Sequence, residues 1–527
     1  MNINSVLDYH QRTKHQLNAY AKGPASLDWD DQPNPFRRFS GCETVHLPKP
    51  GRELDVSFNQ LDQPGGIGEQ DLNLSNLGLL LELAFGLSAW KQYGPDRWAL
   101  RCNPSSGNLH PTEAYVLSSD PAILAPGVYH YLSHDHVLER RCCFTSSPEP
   151  GLYLGLSSVH WREAWKYGER AFRYCQHDIG HALAALSYAA TCLGWKIELL
   201  SELADAEVAA VLGLDQSEAF VEGERESPDL LCRIYADSYN SSRFLTHQWL
   251  DCVSTARWFG RAEPLSAGCH LYQWPVIDEV AKLCYKPVTH QERWQPDLLE
   301  LPKPRTDLLA SRLIRQRRSA QQFNTKSDAL SLDAFKRILL AVLPNAKPPF
   351  LVWNWEPSID LLVFVHRVEG LESGLYFFPR QANAIEQLKP VLSSDFVWQK
   401  IDMPFEFYQL VAGNVRQAAK TLSCHQSIAS DSAFSLGMLA PFKRDLEHSS
   451  WLYKRWFWEC GLIGQILYLE AEAAGVRGTG IGCFFDDAVH GVLGLKDSKW
   501  QSLYHFTVGM PLEDVRLVTL PAYEHLD

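Results

Sequence analysis

The sequence predicts an α+β protein in two tandem copies, each a mixed or antiparallel sheet flanked by long helices, forming an intrachain pseudo-dimer. Three observations predict this. One long apolar helix pattern occurs twice, shorter helix and strand signatures recur around it in the same order, and the composition can fill two cores. The 527 residues are 46% hydrophobic and include 17 Trp, 20 Tyr and 24 Phe, so each half can bury a substantial interior.

The repeated helix is the clearest element. Asp178 to Gly194 aligns with Glu459 to Gly475, with the acidic residue, the following Gly180 and Gly461, and the closing glycine in register. Apolar residues between them recur at helical spacing, as in Leu183, Leu186, Ala190 and Leu193. Each segment reads as a buried helix that ends at a C′ glycine. At the same offset, Val211-Leu-Gly-Leu214 matches Val492-Leu-Gly-Leu495. Upstream, Asn73 and Ser331 each precede an amphipathic pattern as N-cap residues. Gly127-Val-Tyr-His-Tyr131 and Gly374-Leu-Tyr-Phe-Phe378 each read as a strand leaving a turn. Helix, strand, strand, long helix, helix therefore occurs twice. The proline-rich stretch 261–305 is the expected linker. It separates a first domain, 71–260, from a second, 306–527, and residues 1–70 read as an extended N-terminal arm.

Charge and cysteine usage exclude several functions. A net charge of -13 argues against a nucleic-acid groove or an anionic membrane surface. The thirteen cysteines form no Cys-x-x-Cys, which disfavours metal ribbons and thioredoxin-like redox pairs, and an odd count suits no disulfide framework. Cys424-His425-Gln426 sets a thiol beside an imidazole in sequence, an arrangement that seldom gives productive geometry. His110, His177 and His181 lack a second ligand cluster, so no metal is expected. The first twenty residues lack the apolar run of a signal peptide and no segment suits a membrane span, so the expected location is cytoplasmic.

The two copies differ in complementary ways. The first carries Arg101-Cys-Asn-Pro-Ser-Ser-Gly-Asn-Leu-His-Pro-Thr-Glu113, where Pro104, Ser105, Ser106 and Asn108 make a tight polar loop suited to a flat ligand. The second has Leu351 to Asp360 there, with Trp353 and Trp355 to fill such a pocket. The second instead carries Arg315-Gln-Arg-Arg-Ser-Ala-Gln-Gln-Phe323, whose Arg317, Arg318 and Ser319 suit a phosphate. Its counterpart, Ser57 to Leu61, has no positive charge. The second also has Gly478-Thr-Gly-Ile-Gly482, a glycine turn that lets backbone approach a planar ring, against Leu199, Leu200 and Ser201 in the first. Each copy keeps half of one site, as expected for a ligand lying between them.

At these residues the chain resembles the nitroreductase superfamily, specifically the SagB-type (thiazoline/oxazoline dehydrogenase) branch in tandem form. The resemblance spans Asn73 to Asp215 and Arg315 to Arg516. It implies one FMN per chain, with Arg317, Arg318, Ser319 and Gln321 on the phosphate and ribityl chain. Gly480 and Gly482 would approach the ring, Pro104, Ser105, Ser106 and Asn108 would cover it, and Arg516 resembles a late phosphate-side arginine. Trp165-Lys-Tyr-Gly-Glu-Arg170 resembles the Lys-Tyr pair of azoline dehydrogenases, which implies Lys166 as base and Tyr167 as proton relay.

The expected function is an FMN-dependent dehydrogenase acting on a small or peptide-derived substrate, working as a monomer or a loose homo-oligomer of pseudo-dimers. The alternatives are an NAD(P)H-driven nitro or quinone reductase, in which no protein base is essential, and a catalytically silent flavin-binding partner of a modification complex. An open cavity over the flavin favours turnover; one plugged by Trp353 or Trp355 favours the silent reading.

Overall fold

The computed structural model describes residues 3–526 except 64, 145–147, 240–242, 269, 291–292, 303–305, 443–445 and 447. Two large sheets dominate it. In the first, the spatial order is Arg257–Trp258, Val137–Cys143, Gly127–Leu132, Thr112–Ser118, Leu152–Val159, Glu226–Tyr235 and Lys196–Leu199, with Glu43–His46 also on Val137–Cys143. In the second it is Gln399–Lys400, Tyr408–Ala412, Gly374–Phe378, Asp360–Val365, Phe434–Pro441, Trp500–Gly509 and Arg477–Ile481. The six consecutive strands that each sheet shares follow the same chain order in both. Every pairing within the two sheets is antiparallel, so the expected mixed sheet resolves to the antiparallel kind.

Between the fourth and fifth shared strands of each sheet runs a 22-residue helix, Ala171–Cys192 and Leu452–Ala473. Gly194 and Gly475 follow them in the left-handed region, φ 71° and 73°, where glycine carries no Cβ penalty. The two helices are buried over almost their whole length and pack on each other. They cross where Gly180 meets Gly461: a Cβ on Gly180 would strike the Trp458 carbonyl, and one on Gly461 the His177 carbonyl. The matched glycines of the repeat therefore set a backbone-to-backbone approach that no larger residue allows.

The shorter signatures also hold. Asn73 caps Leu74–Phe85 by accepting from the Asn76 amide, and Ser331 caps Leu332–Ala341 by accepting from the Ala334 amide. Gly213 and Gly494 close the helices Asp205–Leu212 and Asp486–Leu493 at φ 70° and 72°.

Three elements depart from expectation. Gly478 to Gly482 is not a turn: Arg477–Ile481 is an edge strand on Trp500–Gly509, because Phe506 and Tyr504 pack where side chains would otherwise stand. Residues 1–70, expected as an extended arm, carry a helix, Val6–Arg12, whose buried His10 hydrogen-bonds Tyr453 and Gln501. Residues 261–305, expected as a linker, hold a nine-residue helix, Pro275–Leu283, with proline at its first turn. Both chain ends dock across the molecule. Lys14 pairs with Asp487 at 2.7 Å, and Val518–Leu520 adds a strand to the hairpin Leu87–Tyr93 and Asp96–Arg101. Among the described residues no helix is long and apolar enough to cross a membrane.

Candidate active site

The loop that follows the Asp96–Arg101 strand cannot continue the sheet, because Gly107, Asn108 and His110 have positive φ of 59°, 61° and 52°. It is fastened from within. The Ser106 amide and hydroxyl donate to Asp178 Oδ1 at 3.1 and 3.2 Å. Asn108 Nδ2 donates to the Ala99 carbonyl at 2.8 Å while its Oδ1 meets His110 Nε2 at 3.0 Å. A Cβ on Gly107 would lie 2.5 Å from the Tyr167 hydroxyl, so glycine keeps the loop pressed against the end of the His160–Tyr167 helix.

Opposite this loop stands the segment after the Ala310–Gln316 helix. Arg317 is buried and donates to the Cys102 and Arg101 carbonyls at 3.2 and 3.0 Å, its guanidinium lying 5.0 Å from the Tyr468 ring centre. Arg318 donates to the carbonyls of Arg315, Arg317 and Ser88. Among the described residues neither has a carboxylate within ion-pair distance. Burial, then the adjacent Arg317, brings the Arg318 pKa down to about 10. Burial likewise brings Arg101 down to about 10. Taking cations out of water is costly without a counter-charge, so this end of the site is prepared for an anion.

The glycine strand makes the third wall. The Ala320 amide donates to the Gly478 carbonyl at 3.1 Å, Thr479 returns a bond to the Ala320 carbonyl at 2.7 Å, and Tyr468 bridges Ser319 Oγ at 2.8 Å and the Gly480 amide at 3.0 Å. A side chain on Gly480 would run into the Tyr504 hydroxyl, and one on Gly482 into the Tyr174 ring.

These walls enclose a cavity of about 390 Å³, within the usual range of small-molecule sites. It brings together Pro104, Ser105, Ser106, Asn108, Tyr167, Arg317, Arg318, Ser319, Gln321, Gly480 and Gly482. It does not bring in two predicted residues. Arg516 is exposed and bound to Asp514 at 2.7 Å, and Arg477 lines the cavity instead. Lys166 is half-buried behind Tyr167 and does not line the cavity. Its ammonium acts on the buried Glu163, whose carboxyl oxygens lack hydrogen-bond partners and whose pKa is pushed well up by burial and then by Asp178.

The sequence reading missed several lining groups. Lys91 and Trp98 come from the hairpin, and Tyr468 and Tyr504 from the second half. Pro511 to Asp514 and Leu517 arrive as the chain crosses back toward the first half, which no local pattern announces. Asp178 is the most consequential: burial raises its pKa to about 7, and its Oδ2 has no hydrogen-bond partner. Its place at the head of the repeated Asp178 to Gly194 segment was the signal available in the sequence. Of the three histidines noted in the sequence, His177 bonds the Leu503 carbonyl at 3.1 Å, while His110 and His181 line the cavity, His181 bonding Gln465 and Tyr504. A surface group with metal-ligand spacing, His134, Asp135 and His525, has the Arg38 guanidinium on its carboxylate.

The corresponding position on the other side is closed. Trp353 and Trp355 are 2% and 4% exposed and stack edge to face at 5.0 Å. Asn354 between them donates to the Leu199 carbonyl and Ser201 Oγ at 2.8 and 2.9 Å. A larger recess of about 1430 Å³ opens beside Glu222 to Asp229, Pro264 to Gly268 and Tyr272 to Pro275, and none of the predicted residues lines it.

No family model matches the chain. It is similar to the crystal structure of a provisionally assigned nitroreductase from Anabaena variabilis, with a TM-score of 0.68 and 21% identity over 97% of this chain and 100% of that one. A second such chain, from Ralstonia eutropha, aligns over 44% of this chain and 99% of its own with a TM-score of 0.28 and 16% identity. A provisionally assigned nitroreductase of Methanocaldococcus jannaschii is 25% identical over 162 residues, 28% of this chain and 76% of the relative. The fold is nitroreductase-like.

Proposed function

We propose that the protein is an FMN-dependent oxidoreductase in which two nitroreductase-like units of one chain, residues 71–260 and 306–527, share a single flavin. In this reading residues 1–70 are an arm, 261–305 the connection, and the crossed long helices the interface of an intrachain pseudo-dimer. The observation that carries it is the cavity itself. The buried Arg317 and the half-buried Arg318, with no carboxylate at ion-pair distance among the described residues, stand at one end, and glycines that admit no side chain stand along one wall. Arg317 and Arg318 hold the phosphate by charge-assisted bonds, Ser319 and Gln321 face the ribityl chain, Gly480 and Gly482 admit the ring, and Pro104, Ser105, Ser106 and Asn108 cover it. FMN, when bound, supplies hydride transfer at its N5.

Within that class we favour a SagB-type dehydrogenase of a small or peptide-derived azoline. Tyr167 presents its hydroxyl in the cavity, and Asp178 Oδ2 accepts the proton that substrate oxidation releases. A carboxyl with a pKa of about 7 is matched to that task near neutrality. Lys166 then acts from behind, through Glu163. The second reading, an NAD(P)H-driven reductase, draws support from the position of Lys166 off the cavity lining. The silent-partner reading loses ground because Trp353 and Trp355 are not among the lining residues.

The test is anaerobic reduction of the FMN-loaded protein, followed by loss of flavin absorbance. A thiazoline peptide reduces the flavin if the first reading holds, and Asp178→Asn slows that reduction by about 10²-fold or more. Bleaching by NADPH alone selects the reductase. No bleaching by either rejects both.

A further inference from the structure

Beyond Gly482 the edge strand delivers Cys483 to the cavity wall. A second thiol waits beside it. Cys424 follows the Arg416–Leu422 helix with φ 53°, and His425 follows with φ 60°. Two consecutive non-glycine residues in the left-handed region are unusual, and such strain clusters at functional positions. The two segments are tied together: the Phe485 amide donates to the Leu422 carbonyl at 2.8 Å, and Gln426 Nε2 donates to the Cys483 carbonyl at 3.2 Å. The Leu422–Phe485 bond sets the two cysteines opposite each other on adjoining segments, and both are half-buried and free.

The surroundings of Cys483 favour its ionised form. His15, from the N-terminal arm, accepts the Ala21 amide on Nδ1 at 2.9 Å, which leaves the hydrogen on Nε2 to donate to the Cys483 sulfur. The imidazole is fixed because Asp486 accepts the His15 amide at 2.9 Å and donates its own amide to the His15 carbonyl at 3.1 Å. Arg170 reaches the Gly482 carbonyl at 3.2 Å, and Arg170 and Arg173 share the one carboxylate of Asp486, so the group carries net positive charge. Tyr20, Tyr167 and Tyr174 complete the ring of titratable neighbours. Cys424 first, then His15 and Arg170, hold the Cys483 thiol well below the ordinary range, while Cys424 is held up. A thiolate beside a protonated partner is the arrangement that thiol–disulfide exchange requires.

We propose that Cys483 and Cys424 form a thiol–disulfide exchange site at the cavity wall, with Cys483 as attacking thiolate, Cys424 as resolving thiol and a low-molecular-weight disulfide as substrate. The Cys483 thiolate attacks one sulfur of RSSR. The RS–SR bond breaks, a Cys483–S–SR bond forms, and RS⁻ leaves and is protonated. Cys424 passes its proton to solvent and attacks the Cys483 sulfur, forming the Cys424–Cys483 disulfide and expelling the second RS⁻, which is protonated in turn. Two protein thiols lose two electrons, and RSSR gains them to become two RSH. The site is independent of the flavin reading, since no electron passes through the flavin. Neither cysteine lies in a Cys-x-x-Cys, so no spacing along the chain marks the pair.

The test incubates the full-length protein with oxidised glutathione and maps its cysteines by mass spectrometry. The expected product is a Cys424–Cys483 cross-linked peptide. Cys424→Ser should arrest the reaction as a glutathione adduct on Cys483, and His15→Ala should slow iodoacetamide alkylation of Cys483 by about 10-fold in mildly acid buffer. A wild-type map in which Cys483 stays free while other cysteines react overturns the proposal. So does a Cys424→Ser protein that gives no Cys483 adduct. The wild-type map decides even if a variant fails to fold.

Discussion

The Pro104–Asn108 loop and the Leu351–Asp360 segment are held in the same way yet end in opposite states. Ser106 is pinned by Asp178, and Ser358 and Ile359 by Glu459, the two acids at matching positions of the long helices. Beside the first lies a cavity with cationic and glycine-rich walls; beside the second lie two buried tryptophans. The anchors differ too. Glu459 has the Arg380 guanidinium at 2.7 Å, whereas Asp178 has only Ser105 and Ser106 to offset its burial. One scaffold thus supports a packed core or an open site according to a few side chains. A carboxylate left without a cation is poised to hold a proton, and one given an arginine is a structural post.

The largest expected effect comes from removing what only the open side has. Arg317→Ala with Arg318→Ala should weaken FMN binding by about 100-fold or more, since each charge-assisted bond is worth about 1.5–3 kcal/mol; fluorescence titration checks it. Unchanged affinity would mean that the phosphate end lies elsewhere. Next, Trp355→Ala should destabilise the protein by about 3–5 kcal/mol, read in urea, and leave FMN affinity as it was. A gain of a second flavin in that variant would show that the closed side still carries a site.

A subtler difference lies in the pH dependence. Folding raises the Asp178 pKa from 3.8 to about 7. Between those values the folded state holds a proton that the unfolded state has released, so this group's contribution is fully present below the lower value. It is lost as pH rises through the upper one. Asp178→Asn should therefore flatten the fall in stability between about pH 4 and 7 by at most about 4 kcal/mol, measured as Tm across that range. An identical pH profile would mean that Asp178 is ionised in the fold.

Much of this was legible in the sequence because it is local. N-caps Asn73 and Ser331, C′ glycines Gly194 and Gly475, and the matched Gly180 and Gly461 each follow from residue type at a fixed spacing. The polar loop and the Arg-Arg-Ser segment were found the same way, through their absence from the other copy. What escaped was set by long-range packing. Gly478 to Gly482 reads as a turn until Tyr504 and Phe506 from a distant strand occupy its missing side chains. Arg516 matches a motif, but Asp514 two residues away holds it at the surface. Lys166 and Tyr167 are neighbours, yet the helix end turns only the tyrosine toward the cavity.

The proposed single flavin site is tested most directly by the amount of flavin released on denaturing the purified, FMN-saturated protein, quantified against chain. One FMN per chain is the predicted result. Two per chain would contradict the closure of the Trp353 and Trp355 side, and none after saturation would contradict the flavin site itself.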